Sequence, residues 1–531
     1  MQGKQVIRTF FRENDVSHIF QLPGLHTLPL SAELFWDETI KSITTRHEMN
    51  CAFMADGYAR ASGKPAFLLV TPGPGLGNVV SGCMEAYSDD VPIFILHVDT
   101  DRKDIGKGIL HELEYPENIF RYITRDVFRI TKPAQLRHTL DSALDRCTQG
   151  RTGPVLVSVP FSFLDREIPA THSPSSEPRS PAPTSYRALD KFLDDCRGIL
   201  EHKLKPVLIG GKGLMTPRAG DTIEEICAQG VPYLTSTGGK GTIDERAIFS
   251  FGNIITKGVA RDILDSADLV IAAGARLRDA DVKKRGVKIR DLIHIDIDGR
   301  WINKNFPASA HFEGNVELAL EGLSAIMRDL VFDWDLASLK EKKTAERKAL
   351  QSVPGHAITN LIRNAVPPNT VFVCDLNLPS YWAEYYLPVY FQRSFLMPRG
   401  ISPTFYSLSA AIGVKLARPD APCLALCGDG GVLPQTAELA TVVKYKVPVV
   451  IFVDNNNSYA ILEDATHSRY QISGSMCLDN PDFVKLAHSY GIKAEATDSI
   501  DGLRKIFRRH ISWNEPFLIE FRNTILSPPW A

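Results

Sequence analysis

Short apolar runs alternate with longer segments of helical periodicity along most of the chain. Runs at 66–70, 155–159, 206–209 and 269–273 are almost wholly aliphatic or aromatic, without a regular polar face. Runs of this length and character are typical of strands buried on both faces of a parallel sheet, and the segments between them suit crossover helices. The pattern predicts an α/β fold of doubly wound parallel sheets.

The alternation is interrupted twice, by a proline- and serine-rich stretch and by a charged helical stretch. A chain of 531 residues is also too long for one hydrophobic core. We therefore expect three doubly wound domains joined by two linkers. The predicted domains span 1–170, 186–330 and 355–531, with linkers at 171–185 and 331–354.

Composition narrows the classes of function. The formal net charge is -2, with no basic stripe and no basic patch interleaved with aromatic residues, so we expect no nucleic-acid partner. The start has no apolar signal core and the apolar runs are only strand-length, which predicts a cytoplasmic protein without a membrane partner. Nine cysteines without a CxxC pair favour reduced thiols.

The most informative motif follows an apolar run near the C-terminal end. Residues 422–427 read as a buried strand that ends in glycine, so its carboxyl end opens onto a crevice. Glycines at this point allow the backbone to approach a ligand closely. The residues at this strand end are Gly428, Asp429, Gly430 and Gly431.

A second strand end completes the pattern. Residues 434–445 read as a helix with proline near its start, whose free N–H groups would face the same crevice and favour an anion. Residues 447–453 read as the next strand, and a right-handed crossover would bring Asn456 beside Asp429. A carboxylate and an amide oxygen are hard ligands suited to Mg²⁺, with phosphate oxygens completing its octahedron.

With this spacing the chain resembles the thiamine-diphosphate-dependent enzymes, in the branch of acetolactate synthase, benzoylformate decarboxylase and benzaldehyde lyase. The resemblance implies that Asp429 and Asn456 ligate Mg²⁺, that Ser458 supplies a backbone carbonyl ligand, and that the motif glycines line the diphosphate. The implied cofactors are thiamine diphosphate and Mg²⁺.

An independent second match lies in the first domain. Segments 45–48, 55–60 and 71–78 follow the pyrimidine-binding domain of these enzymes in order and spacing. The resemblance implies that Glu48 protonates the pyrimidine N1′, so that the 4′-imino group can remove the proton from the thiazolium C2. Burial against the ring nitrogen would strengthen that interaction.

One segment departs from the resemblance. Residues 400–413 align with the stretch that holds a bulky apolar residue under the bent cofactor, and the match places Thr404 there, where relatives have Met, Leu or Ile. Either Phe405 substitutes through a local shift or the pocket differs.

Two histidines are candidates for work on the substrate. By resemblance His26 lies over the reactive carbon, where benzaldehyde lyase has a histidine, and His111 lies about where acetolactate synthases have a pocket glutamine. An imidazole titrates near neutrality, so either could move protons.

Some relatives bind FAD in the middle domain. Segment 210–213 lacks the complete G-x-G-x-x-G pattern, which favours a scaffold without FAD.

The resemblance implies an enzyme that decarboxylates a 2-oxo acid and transfers the acyl carbanion equivalent to a second carbonyl, as acetolactate synthase-like carboligases do. The alternatives are a decarboxylase that releases an aldehyde, a hydroxy-ketone lyase, and a catalytically silent regulatory homologue. Intact Glu48, Asp429 and Asn456 argue against the last. The expected partners are a 2-oxo acid, a carbonyl acceptor and further copies of the chain, in a homodimer or a tetramer that shares its sites.

Overall fold

The computed structural model describes residues 1–168, 186–523 and 527–530. The predicted linker 171–185 lies outside the described residues. The other predicted linker, 331–354, contains a helix, α12 (Leu336–Ala349).

The first domain is a six-stranded parallel sheet of order β2-β1-β3-β4-β6-β5. Its central strands are mostly apolar and are buried at every position, as a sheet covered on both faces requires. The strands are β1 (His18–Gln21), β2 (Lys41–Thr44), β3 (Ala66–Val70), β4 (Ile93–Asp99), β5 (Asp126–Arg129) and β6 (Val155–Pro160). The helices are α1 (Gly3–Glu13), α2 (Leu28–Phe35), α3 (Glu48–Ser62), α4 (Pro74–Asn78), α5 (Val80–Ser88), α6 (Pro116–Phe120) and α7 (Leu136–Thr148).

The middle domain repeats this architecture with the strand order β12-β11-β10-β7-β8-β9. Its strands are β7 (Pro206–Gly210), β8 (Tyr233–Thr235), β9 (Ser250–Asn253), β10 (Leu269–Ala273), β11 (Leu292–Asp296) and β12 (Ala310–Glu313). Its helices are α8 (Tyr186–Leu200), α9 (Ala219–Ala228), α10 (Val259–Ser266) and α11 (Val316–Met327).

The third domain has the order β14-β13-β15-β16-β18-β17, again with parallel strands. Its strands are β13 (Val371–Cys374), β14 (Phe395–Leu396), β15 (Cys423–Gly428), β16 (Val450–Asn455), β17 (Lys493–Thr497) and β18 (Phe517–Arg522). Its helices are α13 (Pro354–Ala365), α14 (Leu378–Tyr386), α15 (Ser407–Ala417), α16 (Asp429–Val432), α17 (Leu439–Lys444), α18 (Ala460–Tyr470), α19 (Phe483–Ser489) and α20 (Ile500–Arg509). The predicted α/β fold of three parallel sheets is confirmed.

The helix after β15 begins earlier than the sequence predicts. It starts at Asp429 instead of Pro434, and the turn Leu433–Glu438 between α16 and α17 is a 3₁₀-helix. Pro434 has no N–H to donate to the carbonyl four residues earlier, so the backbone tightens where the α-helical hydrogen bond is missing. The expected helix is therefore present but interrupted.

The first and third domains pack against each other through α3 and α15. A Cβ added at Gly57 would overlap the Ala410 carbonyl oxygen, and one added at Gly413 would overlap the Met54 carbonyl oxygen, so only glycine allows this approach. The surrounding side chains form one hydrophobic core that both domains share. In the part of the chain that the structure describes, none of the helices is both long and apolar enough to cross a membrane.

Candidate functional site

The third-domain motif forms a compact polar seat at the carboxyl ends of β15 and β16. Asp429 Oδ2 accepts hydrogen bonds from the backbone N–H groups of Asn456 (3.2 Å) and Ser458 (3.3 Å) and from Asn480 Nδ2 (2.8 Å). Asp429 is buried, and this burial raises the pKa of its carboxyl group. The structure thus brings Asp429, Asn456 and Ser458 together, as the motif predicts.

Two amide oxygens in this seat have no hydrogen-bond partner among the described residues. They are Oδ1 of Asn456, the predicted ligand, and Oδ1 of Asn480, and both atoms are buried. A buried unpaired acceptor beside a carboxylate costs free energy unless a ligand satisfies it. Carboxylate and amide oxygens are the donors that a hard cation requires, so the seat fits Mg²⁺.

Two further carboxylates, which the motif does not identify, lie at neighbouring strand ends. Burial raises the pKa of Asp375, after β13, to about 7. Burial raises the pKa of Asp454 to about 7 as well, and the nearby Asp429 contributes to that shift. Asp454 lies two residues before the predicted ligand Asn456, whereas Asp375 and Asn480 reach the site only through the fold.

The predicted support segment contacts this seat. A Cβ added at Gly431 would lie 2.9 Å from the Thr404 carbonyl oxygen and 2.9 Å from Asp375 Oδ2. The Thr404 backbone therefore lies directly against the motif glycine, and Phe405 beside it is half-buried. Glycine at 431 is needed because a side chain would push this loop away.

The first domain places Glu48 at the start of α3, after β2. Glu48 is buried, and its Oε2 accepts a hydrogen bond of 3.0 Å from Asn78 Nδ2. His47 is the N-cap of α3 and accepts from the Met49 N–H at 3.1 Å, which is a structural role. Asn78 belongs to the glycine-rich segment after β3, so the two predicted motifs meet at one carboxylate.

The two candidate histidines lie side by side. The ring centroids of His26 and His111 are 5.8 Å apart, and Nδ1 of each is buried without a hydrogen-bond partner within the described ranges. Burial lowers the pKa of His26, and the proximity of His111 lowers it further. His26 is therefore neutral near pH 7, where one ring nitrogen can accept a proton and the other can donate a hydrogen bond.

A third histidine, not identified from sequence, lies nearby. His97 on β4 is fully buried, its Nδ1 is 3.0 Å from Ser158 Oγ, and its Nε2 has no hydrogen bond in the described part of the chain but lies 3.9 Å from Asp99 Oδ1. Burial lowers its pKa to about 3, with contributions from Arg129 and His26. The only signal in the sequence is a histidine near the carboxyl end of a buried apolar strand.

The middle-domain loop 210–213 contacts the first domain through Lys212. Lys212 is half-buried, with its Nζ donating to the carbonyl oxygen of Asp89, and Arg276 forms an ion pair with Asp90. These contacts hold the two domains together at the edge where a dinucleotide would enter an open α/β sheet.

The chain matches one protein family in three consecutive parts. Residues 1–118 match the N-terminal TPP binding domain of thiamine pyrophosphate enzymes, 193–323 match their central domain, and 378–521 match their C-terminal TPP binding domain. The two TPP binding matches contain the Glu48 and Asp429 sites, respectively.

Relatives that match nearly the whole chain include acetolactate synthases and a decarboxylase. A probable acetolactate synthase large subunit of Methanocaldococcus jannaschii is 29% identical over 98% of this chain and 91% of its own length. An acetolactate synthase large subunit of Lactococcus lactis is 28% identical over 98% and 92%. A probable 2-ketoarginine decarboxylase of Pseudomonas aeruginosa is 30% identical over 96% and 91%.

Three parallel-sheet domains with these two polar sites define a cofactor-dependent enzyme that acts on carbon-carbon bonds. The chain belongs to the thiamine pyrophosphate enzyme family. The predicted family and enzyme class are confirmed.

Proposed function

We propose that the protein uses thiamine diphosphate and Mg²⁺ to decarboxylate a 2-oxo acid and to transfer the acyl carbanion equivalent to a second carbonyl. The observation that carries this proposal is the pair of half-sites at strand ends, Glu48 with Asn78 and Asp429 with the unpaired Asn456 oxygen. Similarity to acetolactate synthase large subunits over nearly the whole chain supports transfer to a second carbonyl.

Separate groups of residues would bind the metal, the diphosphate and the pyrimidine ring. Asp429, Asn456 and the Ser458 carbonyl would hold the metal, the backbone of Gly428, Gly430 and Gly431 would line the diphosphate, and Glu48 would hold and protonate the pyrimidine ring. Thiamine diphosphate, when bound, supplies the carbon that adds to the keto group and accepts its electrons.

We further propose that the middle domain is a scaffold without FAD, because Lys212 and Arg276 already bind residues of the first domain.

The reaction breaks the bond between C1 and C2 of the 2-oxo acid, and CO₂ leaves. The electron pair left at C2 then takes either a proton, which gives an aldehyde, or the carbon of a second carbonyl, which gives a hydroxy ketone once its oxygen is protonated. His26 and His111 would relay these protons, since their ring centroids lie 5.8 Å apart and each ring has an unpartnered buried nitrogen among the described residues. The second candidate, simple decarboxylation, is supported by the likeness to the 2-ketoarginine decarboxylase.

Product partition tests the proposal and the histidines together. With a panel of 2-oxo acids, the wild type should release CO₂ only in the presence of thiamine diphosphate and form mainly hydroxy ketone, measured by mass spectrometry. His26→Phe and His111→Phe should lower turnover about 100-fold and change the ratio of aldehyde to hydroxy ketone, because the two branches need a proton at different atoms.

His18→Phe is the matched control, because His18 is half-buried at the opposite end of β1. It should leave the product ratio unchanged. Aldehyde as the only product would favour the decarboxylase, and no CO₂ release from any acid would contradict both activities. An unchanged ratio in both pocket variants would remove these histidines from the mechanism.

We also propose that each site is shared between two copies of the chain. No hydrogen bond among the described residues joins Glu48 or Asn78 to Asp429 or its partners, although Glu438 of the third domain accepts from the backbone N–H groups of Arg46 and His47. The histidine pair of the first domain is also bordered by exposed apolar side chains, since Leu25 is 63% exposed beside His26 and Leu110 is 56% exposed beside His111. Such apolar borders are typical of surfaces that a partner covers.

Subunit mixing tests this arrangement. Glu48→Gln and Asp429→Ala each inactivate one half of the site, so homodimers of either variant should be inactive. After subunit exchange, a mixed dimer has one site with both defects and one site with neither. Activity should therefore recover to about a quarter of the wild-type value in an equimolar mixture, because half of the dimers are mixed. No recovery after verified exchange would contradict a shared site.

A further inference from the structure

The loop that contacts the diphosphate seat is held at its start by one first-domain carboxylate. Glu85 on α5 is fully buried and accepts three consecutive backbone N–H groups of the third domain. Its Oε1 accepts from Gly400 at 3.0 Å, and its Oε2 accepts from Ile401 at 2.8 Å and Ser402 at 3.2 Å. A carboxylate that accepts three N–H groups fixes the path of that backbone.

The same loop is held at its other end by a second first-domain carboxylate. Tyr406, which is fully buried, donates its hydroxyl hydrogen to Asp56 Oδ1 at 2.6 Å. Arg60 joins the two ends, since it binds Asp56 at 2.6 Å and Glu85 at 3.2 Å. Burial raises the pKa of Glu85, whereas Arg60 acts in the opposite direction and favours the charged carboxylate.

The held loop has a strained conformation. Ser402 has φ of +58°, a left-handed value that a non-glycine residue adopts only when its surroundings impose it. Beyond Ser402 the chain runs to Thr404, whose carbonyl oxygen lies against Gly431 of the motif. The backbone at Thr404, which lies against Gly431, is therefore positioned by Glu85. Glu85 is 315 residues from Gly400 in the sequence.

We propose that Glu85 is a positioning residue for the thiamine diphosphate site, which it shapes by fixing loop 400–406 against Gly431. The inference rests on the proposed function, because it concerns affinity for that cofactor. Glu85 would act through the backbone of Gly400, Ile401 and Ser402 and not by direct contact with the cofactor.

Glu85→Gln tests the proposal in the full-length protein with saturating Mg²⁺. Glutamine keeps the size of the side chain, but whichever of its two terminal atoms becomes the NH₂ group faces a backbone N–H instead of accepting it. We expect the Kd for thiamine diphosphate, measured by calorimetry, to rise about tenfold or more. Tyr406→Phe removes only the bond to Asp56 and should raise the Kd by a smaller factor, about threefold.

Glu245→Gln is the matched control. Glu245 is also a buried carboxylate between two domains, where it accepts from Lys240 at 3.1 Å and from the Val389 N–H at 3.1 Å. Both substitutions should lower the melting temperature, but Glu245→Gln should leave the Kd within about twofold of the wild type. Wild-type cofactor affinity in Glu85→Gln, with a similar loss of thermal stability, would overturn the proposal.

Hydrogen exchange on the wild type provides a test that does not depend on a variant folding. The amides of residues 400–402 should be protected in the cofactor-free protein, because Glu85 already binds them. Exchange at the rate of free amides would overturn the proposal. Failure of the wild type to bind thiamine diphosphate at all would instead contradict the proposed function, so the two failures can be distinguished.

Discussion

Asp429→Ala should weaken the binding of thiamine diphosphate with Mg²⁺ by about 1,000-fold or more, which corresponds to about 4 kcal/mol. The substitution removes the charged ligand of the proposed metal seat, and Asn456 alone offers only a neutral oxygen. Asp375 and Asp454 are close, but burial raises the pKa of each to about 7, so neither is a ready replacement for a charged ligand. Calorimetry on the purified variant measures the loss.

The apoprotein should also lose some stability, because Asp429 accepts hydrogen bonds from four N–H groups in the fold. That loss should be about 1–3 kcal/mol, and thermal unfolding without cofactor separates it from the loss of binding. Asp479→Ala is the control, since Asp479 is exposed one residue before Asn480. Unchanged cofactor affinity in Asp429→Ala would contradict the metal seat.

Glu48→Gln should separate cofactor binding from cofactor activation. A glutamine carbonyl oxygen can still accept the hydrogen bond from Asn78, which leaves its NH₂ group to face the pyrimidine N1′. The cofactor should therefore bind within about tenfold of the wild-type affinity, but residue 48 then has no acidic proton to give. Exchange of the C2 proton, followed by NMR in deuterated water, should slow by about 100-fold to 10,000-fold.

Glu33→Gln is the matched control for this substitution. Glu33 forms an ion pair with Arg8 at 2.6 Å in the same domain, on α2. It should leave both binding and exchange unchanged. Near-wild-type exchange in Glu48→Gln would contradict the role assigned to Glu48, whereas a complete loss of binding would show that its carboxylate mainly holds the cofactor.

The sequence predicts the parts of the site that local chemistry determines. The strand before Asp429 and the strand before Asn456 are short apolar runs, and the glycines between them allow a turn at the strand end. Parallel strands place their carboxyl ends at one edge, so the meeting of Asp429 with Asn456 follows from spacing alone. Glu48 is identified differently, by the resemblance of the ordered motifs around it to those of the family.

Other parts depend on packing between distant segments, which spacing does not reveal. Glu85 meets loop 400–402 only because α3 and α15 pack closely at two glycines. Asn480 reaches Asp429 from the loop between α18 and α19, and nothing in the neighbouring sequence resembles a ligand motif. The interruption of the helix after Asp429 also escaped prediction, because Pro434 was interpreted as a helix start and lies inside a 3₁₀ turn.

The central claim is that Glu48 of one copy and Asp429 of another build one thiamine diphosphate site. A crystal structure of the full chain grown with thiamine diphosphate and Mg²⁺ tests it most directly. We expect Mg²⁺ to be bound by Asp429, Asn456 and the Ser458 carbonyl, with the pyrimidine N1′ at hydrogen-bonding distance from Glu48 of the partner subunit. A cofactor bound elsewhere, or one that meets Glu48 and Asp429 of the same chain, would contradict the account.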